Sequence, residues 1–489
     1  MQIININNSY HYETENLLRV FFPEEKFHCA EVATEGEDRC IFETQGSRVK
    51  IELFISGERL SDEKFFSFDD KEEGETDESF LERKGAVMLF GLLCSYTGYT
   101  PPWGILTGVR PAKLMTKLIS SMGEEKAVAY FMNELKVSEE KTALALMVAK
   151  NEAPLMQVNT EKSYSLYISV PFCPSRCSYC SFISHSNESA KKLMPAYVEK
   201  LCEEIRATGA IARELGLKAE SIYMGGGTPT ALTAELLKRV TDAVSESFPV
   251  SSVREYTIEA GRPDSITDEK LEIIKSCGAT RISINPQTFS DDVLKAIGRN
   301  HSSQMTVDAF LAAREKGFDN INMDLIAGLP TDTAENYEAT LRRALSFSPE
   351  NITVHTLALK RSSAIVTEKR GTNSGQAVSE MLSFTQKTLL SEGYIPYYMY
   401  RQSKCLGNLE NVGWAKKGYE GLYNVYMMEE IHSVFAVGAG AVTKLKAPYD
   451  SSIERVFNYK YPYEYIGSFD EIIKRKEQIK IFYDKYFKG

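Results

Sequence analysis

The chain has no apolar run of membrane-spanning length, so no membrane span is expected. Its start, Met1-Gln2-Ile3-Ile4-Asn5, lacks the basic opening and long apolar core of a secretory signal. A cytoplasmic location is expected. Positive charge is in short supply: Lys and Arg number 57 against 67 Asp and Glu, a net charge of −10. A broad nucleic-acid surface is therefore disfavoured, and no nucleic-acid partner is expected. The sequence also lacks a disulfide framework. Its nine cysteines are odd in number, with one tight cluster and the rest scattered, which fits a reducing compartment better. With 43% hydrophobic and 25% charged residues, the composition is that of an ordinary globular protein. At 489 residues it should hold two or three domains.

The tight cluster organises the rest. Cys173, Cys177 and Cys180 stand in a CxxxCxxC spacing directly after a strand-like run, Tyr164 to Val170. Three thiolates at this spacing can curl around one soft metal centre. They fall one short of the four that close a zinc or iron–sulfur site. On a [4Fe–4S] cluster they would leave one iron open, and an open position marks a catalytic site. Other readings stand beside this one. Cys177-Ser178-Tyr179-Cys180 alone fits a redox pair. His185 or a distant residue would complete a zinc site. Three buried structural cysteines need no ligand at all.

Around this stretch the chain divides in three. Residues 1–160 are expected to form an α+β domain, first strands and then helices. Lys26 to Val32, Arg39 to Glu43 and Arg48 to Ile55 read as strands. The acidic run Asp69 to Glu78 reads as a solvated linker or helix start. Lys84 to Thr97, Glu124 to Lys136 and Glu139 to Lys150 read as helices. Between them, Thr100 to Pro111 holds three prolines, two glycines, Trp103 and Arg110; it suits a functional loop or a rigid packed turn.

Residues 161–375 alternate regularly. Strand-like runs at Ser165–Val170, Ser221–Met224, Glu255–Glu259, Arg281–Ile284, Asn320–Ile326 and Asn351–Leu359 are separated by helical stretches such as Leu193 to Leu215 and Ala234 to Phe248. Repeated β-then-α units predict a parallel sheet with right-handed crossovers. Periodicity alone allows a partial barrel, a full eight-unit barrel or a doubly wound sheet. In each, ligands belong at the C-terminal ends of the strands, where Met224-Gly225-Gly226-Gly227-Thr228-Pro229, Glu259-Ala260-Gly261-Arg262-Pro263 and Asn285-Pro286-Gln287 fall. Residues 376–489 lose the alternation and are expected to form an α+β cap.

Tyr167-Ile168-Ser169-Val170-Pro171-Phe172-Cys173, followed by Cys177-Ser178-Tyr179-Cys180, resembles the radical S-adenosylmethionine (SAM) superfamily. It is most similar to the oxygen-independent coproporphyrinogen III oxidase group. Thr100 to Pro111 resembles a segment of its HemZ-type branch. The match runs from about Tyr164 to Leu445 and implies a partial (β/α)6 barrel. It implies a [4Fe–4S] cluster on Cys173, Cys177 and Cys180, whose open iron chelates SAM. Electron transfer from the cluster then cleaves SAM to methionine and a 5′-deoxyadenosyl radical. The radical abstracts hydrogen from an unactivated carbon, while the protein binds, orients and excludes water.

Residue by residue, the resemblance carries SAM contacts to Tyr167, Tyr179, Gly226, Gly227, Thr228, Glu259, Gln287, Arg299, Asp324, Ala358 and Val442, the last in a segment where a second SAM binds in some relatives. A guanidinium such as that of Arg299 suits the methionine carboxylate. Tyr167 and His355 are the candidates nearest the chemistry, with His301 and His432 weaker. Arg401, Lys404, Lys360 and Arg361 are candidates for propionate groups, and Tyr397, Tyr398 and Tyr400 for a flat tetrapyrrole. The implied partners are a tetrapyrrole or haem and a low-potential donor, flavodoxin or ferredoxin. The chain departs from the family in three places: Gly-Arg-Pro replaces an Asx-Pro turn after Glu259, Asn285-Pro286 replaces Gly-Val, and Phe182 stands where established coproporphyrinogen dehydrogenases carry a fourth cysteine. The expected activity is oxidative decarboxylation of coproporphyrinogen III to protoporphyrinogen IX. The alternatives are a haem-binding chaperone, an enzyme that methylates and opens haem and, more distantly, a transfer-RNA modifying enzyme.

Overall fold

The computed structural model describes residues 1–34, 36–72, 74–108, 110–180, 188–360, 363–368, 371–402, 404–449 and 452–487. The chain forms two compact units. One holds Met1–Leu146, Ser374–Ser379 and Tyr400–Glu410; the other holds Met147–Asn373, Glu380–Met399 and Asn411–Gly489.

The first unit opens with β1 (Gln2–Ile6), α1 (His11–Phe21), β2 (His28–Cys29), β3 (Arg39–Gln45), β4 (Arg48–Ile55) and β5 (Glu58–Phe65), joined in the order β2-β1-β3-β4-β5. β4 alternates strictly: Val49, Ile51, Leu53 and Ile55 are buried on one face. Ser56 and Gly57 both have positive φ, the geometry that tight hairpins require. They turn the chain into β5, whose charged, exposed sequence suits an edge strand. The helix α2 (Asp77–Thr97) starts at Thr76, whose hydroxyl accepts from the Ser79 amide. It ends at Gly98 in the left-handed region. Phe80, Met88, Leu89 and Leu93 of α2 join Leu17 and Leu18 of α1 over the sheet. Helices α3 (Pro111–Met122), α4 (Glu124–Asn133) and α5 (Glu139–Met156) follow. The expected strand Lys26–Val32 shrinks to the two residues of β2, because only His28 and Cys29 find partners on β1.

The second unit is built on an eleven-stranded sheet. Its parallel strands are β6 (Ser163–Val170), β7 (Lys218–Gly226), β8 (Glu255–Glu259), β9 (Arg281–Ser283), β10 (Ile321–Ala327) and β11 (Asn351–Thr356). The crossovers are α6 (Glu188–Glu214), α7 (Ala234–Ser247), α8 (Asp268–Ser276), α9 (Asp291–Ala296), α10 (Ser303–Glu315) and α11 (Ala334–Ser346). The helices α12 (Ala364–Thr367) and α13 (Gly375–Ser391) lead to β12 (Ile395–Arg401), β13 (Glu410–Ala415) and α14 (Leu422–Glu429). A seventh parallel strand, β14 (Ser433–Val437), lies beside β6. Then come β15 (Val442–Lys446), β16 (Ile453–Phe457), α15 (Pro462–Gly467) and α16 (Phe469–Phe487). The strand order is linear, from β12 to β16, so the sheet is open.

The parallel strands β6 to β11 alternate. Leu166, Ile168, Ile222, Met224, Ile258, Ile282, Met323, Leu325, Ile352 and Val354 are buried. The other face carries Ser165, Tyr167, Ser221, Tyr223, Glu255, Glu259, Arg281, Ser283, Asn322, Asp324, Thr353 and His355, in register across the strands. Ser165 bonds Ser221 at 2.7 Å, Asn322 donates to Ser283 at 2.8 Å, and Thr353 donates to Asn322 at 3.0 Å. One face of the sheet is thus an apolar bed and the other a polar wall.

Candidate active site

The cysteine loop leaves the C-terminal end of β6 and is held by its backbone. The Gly227 amide donates to Val170 O at 2.8 Å and the Thr228 amide to Phe172 O at 2.7 Å. A Cβ at Gly227 would lie 2.6 Å from Phe172 O, so glycine is what lets the turn after β7 seat against the loop. Further along, the Ser178 amide donates to Ile297 O at 2.9 Å and Ile365 donates to Ser178 O at 3.1 Å. None of the three cysteines is in a disulfide; Cys177 is buried and Cys173 and Cys180 are half-buried. Cys173 Sγ lies 3.5 Å from the Thr228 hydroxyl. Cys177 Sγ accepts from Arg262 Nη1 at 3.7 Å. Among the described residues, no three His, Cys, Asp or Glu side chains converge on a single metal ion. His185, named as a zinc ligand, and Phe182 lie outside the described residues.

Two buried arginines stand at the loop. Arg299 donates through Nη1 to the carbonyls of Asn285 at 2.8 Å and Gly261 at 3.2 Å, and through Nη2 to the Tyr179 hydroxyl at 3.3 Å. Its Nε has no hydrogen-bond partner. Burial opposes its charge, yet Tyr179 and the Cys177 thiol keep it firmly protonated. The residue in the Gly-Arg-Pro departure, Arg262, reaches the loop from the end of β8. Beside both guanidiniums, His301 is buried and pushed down to about 4 by that burial, with neither ring nitrogen hydrogen-bonded.

The polar wall holds two carboxyls in different states. Burial pushes Glu259 up to about 7, against the hydrogen bond it accepts from the Tyr223 hydroxyl. Burial also opposes the charge on Asp324, but His355, Asn322 and Arg281 outweigh it and hold this carboxyl below its usual value. His355 Nε2 is 3.9 Å from Asp324 Oδ2, and both side chains are partly exposed. Asn322 donates to Asp324 at 2.7 Å. Such a divergence separates an acid that can carry a proton near neutrality from a fixed anion. Gln287 has φ 65°, in the left-handed region that costs a non-glycine residue about 1–3 kcal/mol. Its amide donates to Asp324 O and its carbonyl accepts from the Ile326 amide. Tyr167 and Tyr423 stack on Tyr223 with ring centroids 6.3 and 4.5 Å away.

The structure thus brings Cys173 to Thr228, Cys177 to Arg262, Tyr179 to Arg299, and Asp324 to His355. The carboxylate of Glu259 lies against Gly225, where a Cβ would meet it at 2.8 Å. Gly226, with φ 102°, faces the Tyr167 hydroxyl. Ala358 is half-buried just beyond the end of β11, and Val442, also half-buried, is the first residue of β15. The Gly438–Ala441 turn docks on β6, with Ser169 donating to Ala439 O at 2.9 Å. His432 is a satisfied core residue: its ring nitrogens bond Asn159 at 2.9 Å and Ser165 at 2.8 Å. Tyr398 is packing, since its ring covers Gly413, where a Cβ would lie 1.9 Å from it.

Arg401 is corrected from propionate candidate to scaffold. In the first unit it is buried and holds the carbonyls of Leu106 and Gly108. There Trp103 donates to Glu410 at 2.7 Å and Lys141 pairs with Glu410 at 2.8 Å. The Pro-Pro-Trp-Gly segment is therefore a rigid packed turn. Arg361 lies outside the described residues. Sequence reasoning did not place Tyr223, Arg281 or Tyr423. Tyr223 and Arg281 could have been found from the polar alternation of β7 and β9; Tyr423, on α14, carries no sequence signal.

The Radical SAM superfamily profile matches residues 167–344. Over 67% of this chain and 72% of its own, coproporphyrinogen III oxidase (HemN) from Escherichia coli has the same fold, with a TM-score of 0.52 at 23% identity. The chain is a radical SAM protein with the open α/β sheet of that superfamily. The oxygen-independent coproporphyrinogen-III oxidase-like protein HemZ of Bacillus subtilis is 36% identical over 96% of each chain. Heme chaperone HemW of the same organism is 39% identical over 40% of this chain and 51% of its own length. The chain belongs to the HemZ-type branch of the oxygen-independent coproporphyrinogen III oxidase-like family.

Proposed function

We propose that this protein is a radical SAM oxidoreductase acting on a tetrapyrrole, and that its reaction is oxidative decarboxylation of coproporphyrinogen III. The observation that carries this reading is the placement of three reduced thiols at the rim of a polar wall bearing Glu259, Asp324 and His355. The donor set fits an iron–sulfur centre: three thiols on one loop, with a hydroxyl and a guanidinium at the sulfurs. Cys173, Cys177 and Cys180 would hold it. When bound, the cluster and SAM together supply a carbon radical able to take hydrogen from an unactivated C–H bond.

The chain's own residues bind and orient. Charged Glu259 suits the SAM amino group, and the Tyr223 hydroxyl steadies that charge. The open Nε of Arg299 suits a carboxylate oxygen. Asp324, kept ionised, accepts from hydroxyl groups, with His355 beside it. The stacked rings of Tyr167, Tyr223 and Tyr423 exclude water from the wall. Each propionate that becomes a vinyl group gives up one hydrogen atom to the carbon radical, one carbon dioxide, and one electron to a one-electron acceptor that the reaction requires besides the donor. A cavity of about 380 Å³ lined by Arg176, Cys177 and Lys295 offers a reductant an approach to the loop. Flavodoxin or ferredoxin is the donor class proposed.

A haem-chaperone reading is favoured by one observation, Phe182 at the place of the fourth cysteine, together with the HemW relatives. One anaerobic incubation separates the two. The reconstituted protein receives SAM, reductant and coproporphyrinogen III, and 5′-deoxyadenosine is followed alongside vinyl porphyrin. Deoxyadenosine coupled to loss of carboxylates is the expected result. Stable haem binding with no coupled product would overturn decarboxylation in favour of the chaperone.

A further inference from the structure

Arg262 does more than bridge a turn. It is 3% exposed, and every N–H of its fork has an acceptor. Nε and Nη2 clamp the two oxygens of Asp264, each at 3.0 Å. Nη2 also donates to Ser175 Oγ at 2.8 Å, and Nη1 donates to Ser175 O at 3.1 Å. The remaining contact runs from Nη1 to Cys177 Sγ at 3.7 Å, within hydrogen-bonding reach for sulfur. A planar fork divided between a carboxylate, a loop residue and a thiol is a geometry lysine cannot reproduce. Arg262 itself is anchored, because its carbonyl accepts from the Ser265 hydroxyl at 2.7 Å and from the Ser265 amide at 2.9 Å.

The sulfur is the atom that matters. A hydrogen bond to a cluster thiolate withdraws electron density and stabilises the reduced state, which carries one more negative charge. The guanidinium adds positive field, and Asp264 moderates it. We infer that Arg262 is a positioning residue that raises the reduction potential of the centre bound by Cys177, with Asp264 setting how much of its charge that centre feels. The inference rests on the proposed cluster. Its content is separate: a purely structural clamp would hold the loop and leave the potential alone.

The test uses the full chain, reconstituted anaerobically, with iron and sulfide content measured beside a redox titration followed by electron paramagnetic resonance. Arg262→Gln is expected to keep its cluster and lose at least tenfold in the equilibrium constant for one-electron reduction, a fall of about 59 mV. Arg262→Lys restores part of that shift, because charge returns without the fork. Asp264→Asn moves the potential the opposite way, since the guanidinium is no longer neutralised. Unchanged potentials in both Arg262→Gln and Asp264→Asn, with full iron content, would overturn the inference. Should Arg262→Gln lose its cluster, Asp264→Asn decides alone: a raised potential supports tuning and an unchanged one refutes it. A wild-type chain that takes up no iron and sulfide would instead sink the cluster reading itself.

Discussion

Three Gly→Ala substitutions separate the scaffold from the site. At Gly227 the new methyl would lie 2.6 Å from Phe172 O, 2.7 Å from Val170 O and 2.9 Å from Phe172 N. Ordinary contact needs roughly 0.8 Å more than the shortest of these, and all three atoms are backbone. The strain cannot be relieved by a rotamer change. It must lengthen the bonds from the Gly227 amide to Val170 O and from the Thr228 amide to Phe172 O, and Cys173 follows Phe172 directly. Overpacking of this kind costs about 1–3 kcal/mol, and a shift approaching 1 Å at reacting groups costs about 100-fold in rate. At Gly225 the methyl meets Glu259 Oε2 at 2.8 Å and the Tyr223 ring at 2.9 Å, both ends of side chains. At Gly91, exposed in the middle of α2, it meets nothing within 4 Å.

The expected outcomes differ in kind. Gly227→Ala lowers both iron uptake and melting temperature. Gly225→Ala keeps iron and weakens SAM binding. Gly91→Ala stabilises the chain by about 0.5–1 kcal/mol through helix propensity and leaves the site alone. Colorimetric iron and sulfide, calorimetric SAM binding and thermal melts read all three. A Gly227→Ala protein with wild-type iron content and wild-type melting would refute the claim that this turn seats the cysteine loop.

Other expectations follow from the same geometry. Tyr223→Phe removes the hydrogen bond that favours ionised Glu259, so Glu259 titrates above about 7 and SAM affinity, which needs the anion, is lost at a higher pH than in wild type; calorimetry across neutral pH checks the direction. Lys476→Met strands the Glu204 carboxylate, buried and paired with Lys476 at 2.7 Å, and should cost about 3–5 kcal/mol, read in a denaturant titration. Trp103→Phe removes the donor to Glu410 and leaves the space of the indole's second ring empty at a buried position. The loss should be at least the about 1.5–3 kcal/mol of a hydrogen bond to a charged group, with a cavity cost added, visible in the same titration with SAM binding unchanged.

The parallel core of the second unit was legible because strand-like segments with buried residues at every second position recur between helical ones. The cysteine loop stood out by its CxxxCxxC spacing after a strand-like run, but spacing left a redox pair, a zinc site and structural cysteines open, and the family resemblance chose among them. The first unit was less so, for reasons of context. β5 reads Glu58-Arg59-Leu60-Ser61-Asp62-Glu63-Lys64-Phe65, a sequence with little strand preference, and it is extended because the Ser56–Gly57 turn lays it along β4. β1 and α1 are short, and α1 buries only Thr14, Leu17 and Leu18, so neither offers a long apolar stripe to read. α3 starts on Pro111, a favourable first helical residue that reads from sequence as the close of a proline-rich loop. Arg262 was visible only as a departure from a turn pattern; what it touches comes from Ser175 and Cys177, distant in sequence.

The alternation of the parallel strands says something no motif says. Parallel strands covered on both faces normally read as continuous apolar runs. β6 instead reads Ser163-Tyr164-Ser165-Leu166-Tyr167-Ile168-Ser169-Val170, and β8 places Glu255, Thr257 and Glu259 on one side. That polar wall satisfies itself only in part. Ser165, Ser221, Ser283, Asn322 and Thr353 find one another, whereas Nε and Nη2 of Arg281 and the Tyr423 hydroxyl are buried without a partner. An orphaned buried donor costs about 1–3 kcal/mol, more when charged, and a guanidinium is the most demanding of them. A wall serving only as core would be more stable with apolar residues of the same size at these positions. Its polarity is intelligible if the face meets water or a polar ligand, and Arg281 also helps keep Asp324 ionised. The period-two pattern of β6 to β11 therefore supports a ligand chamber independently of the cysteines at its rim.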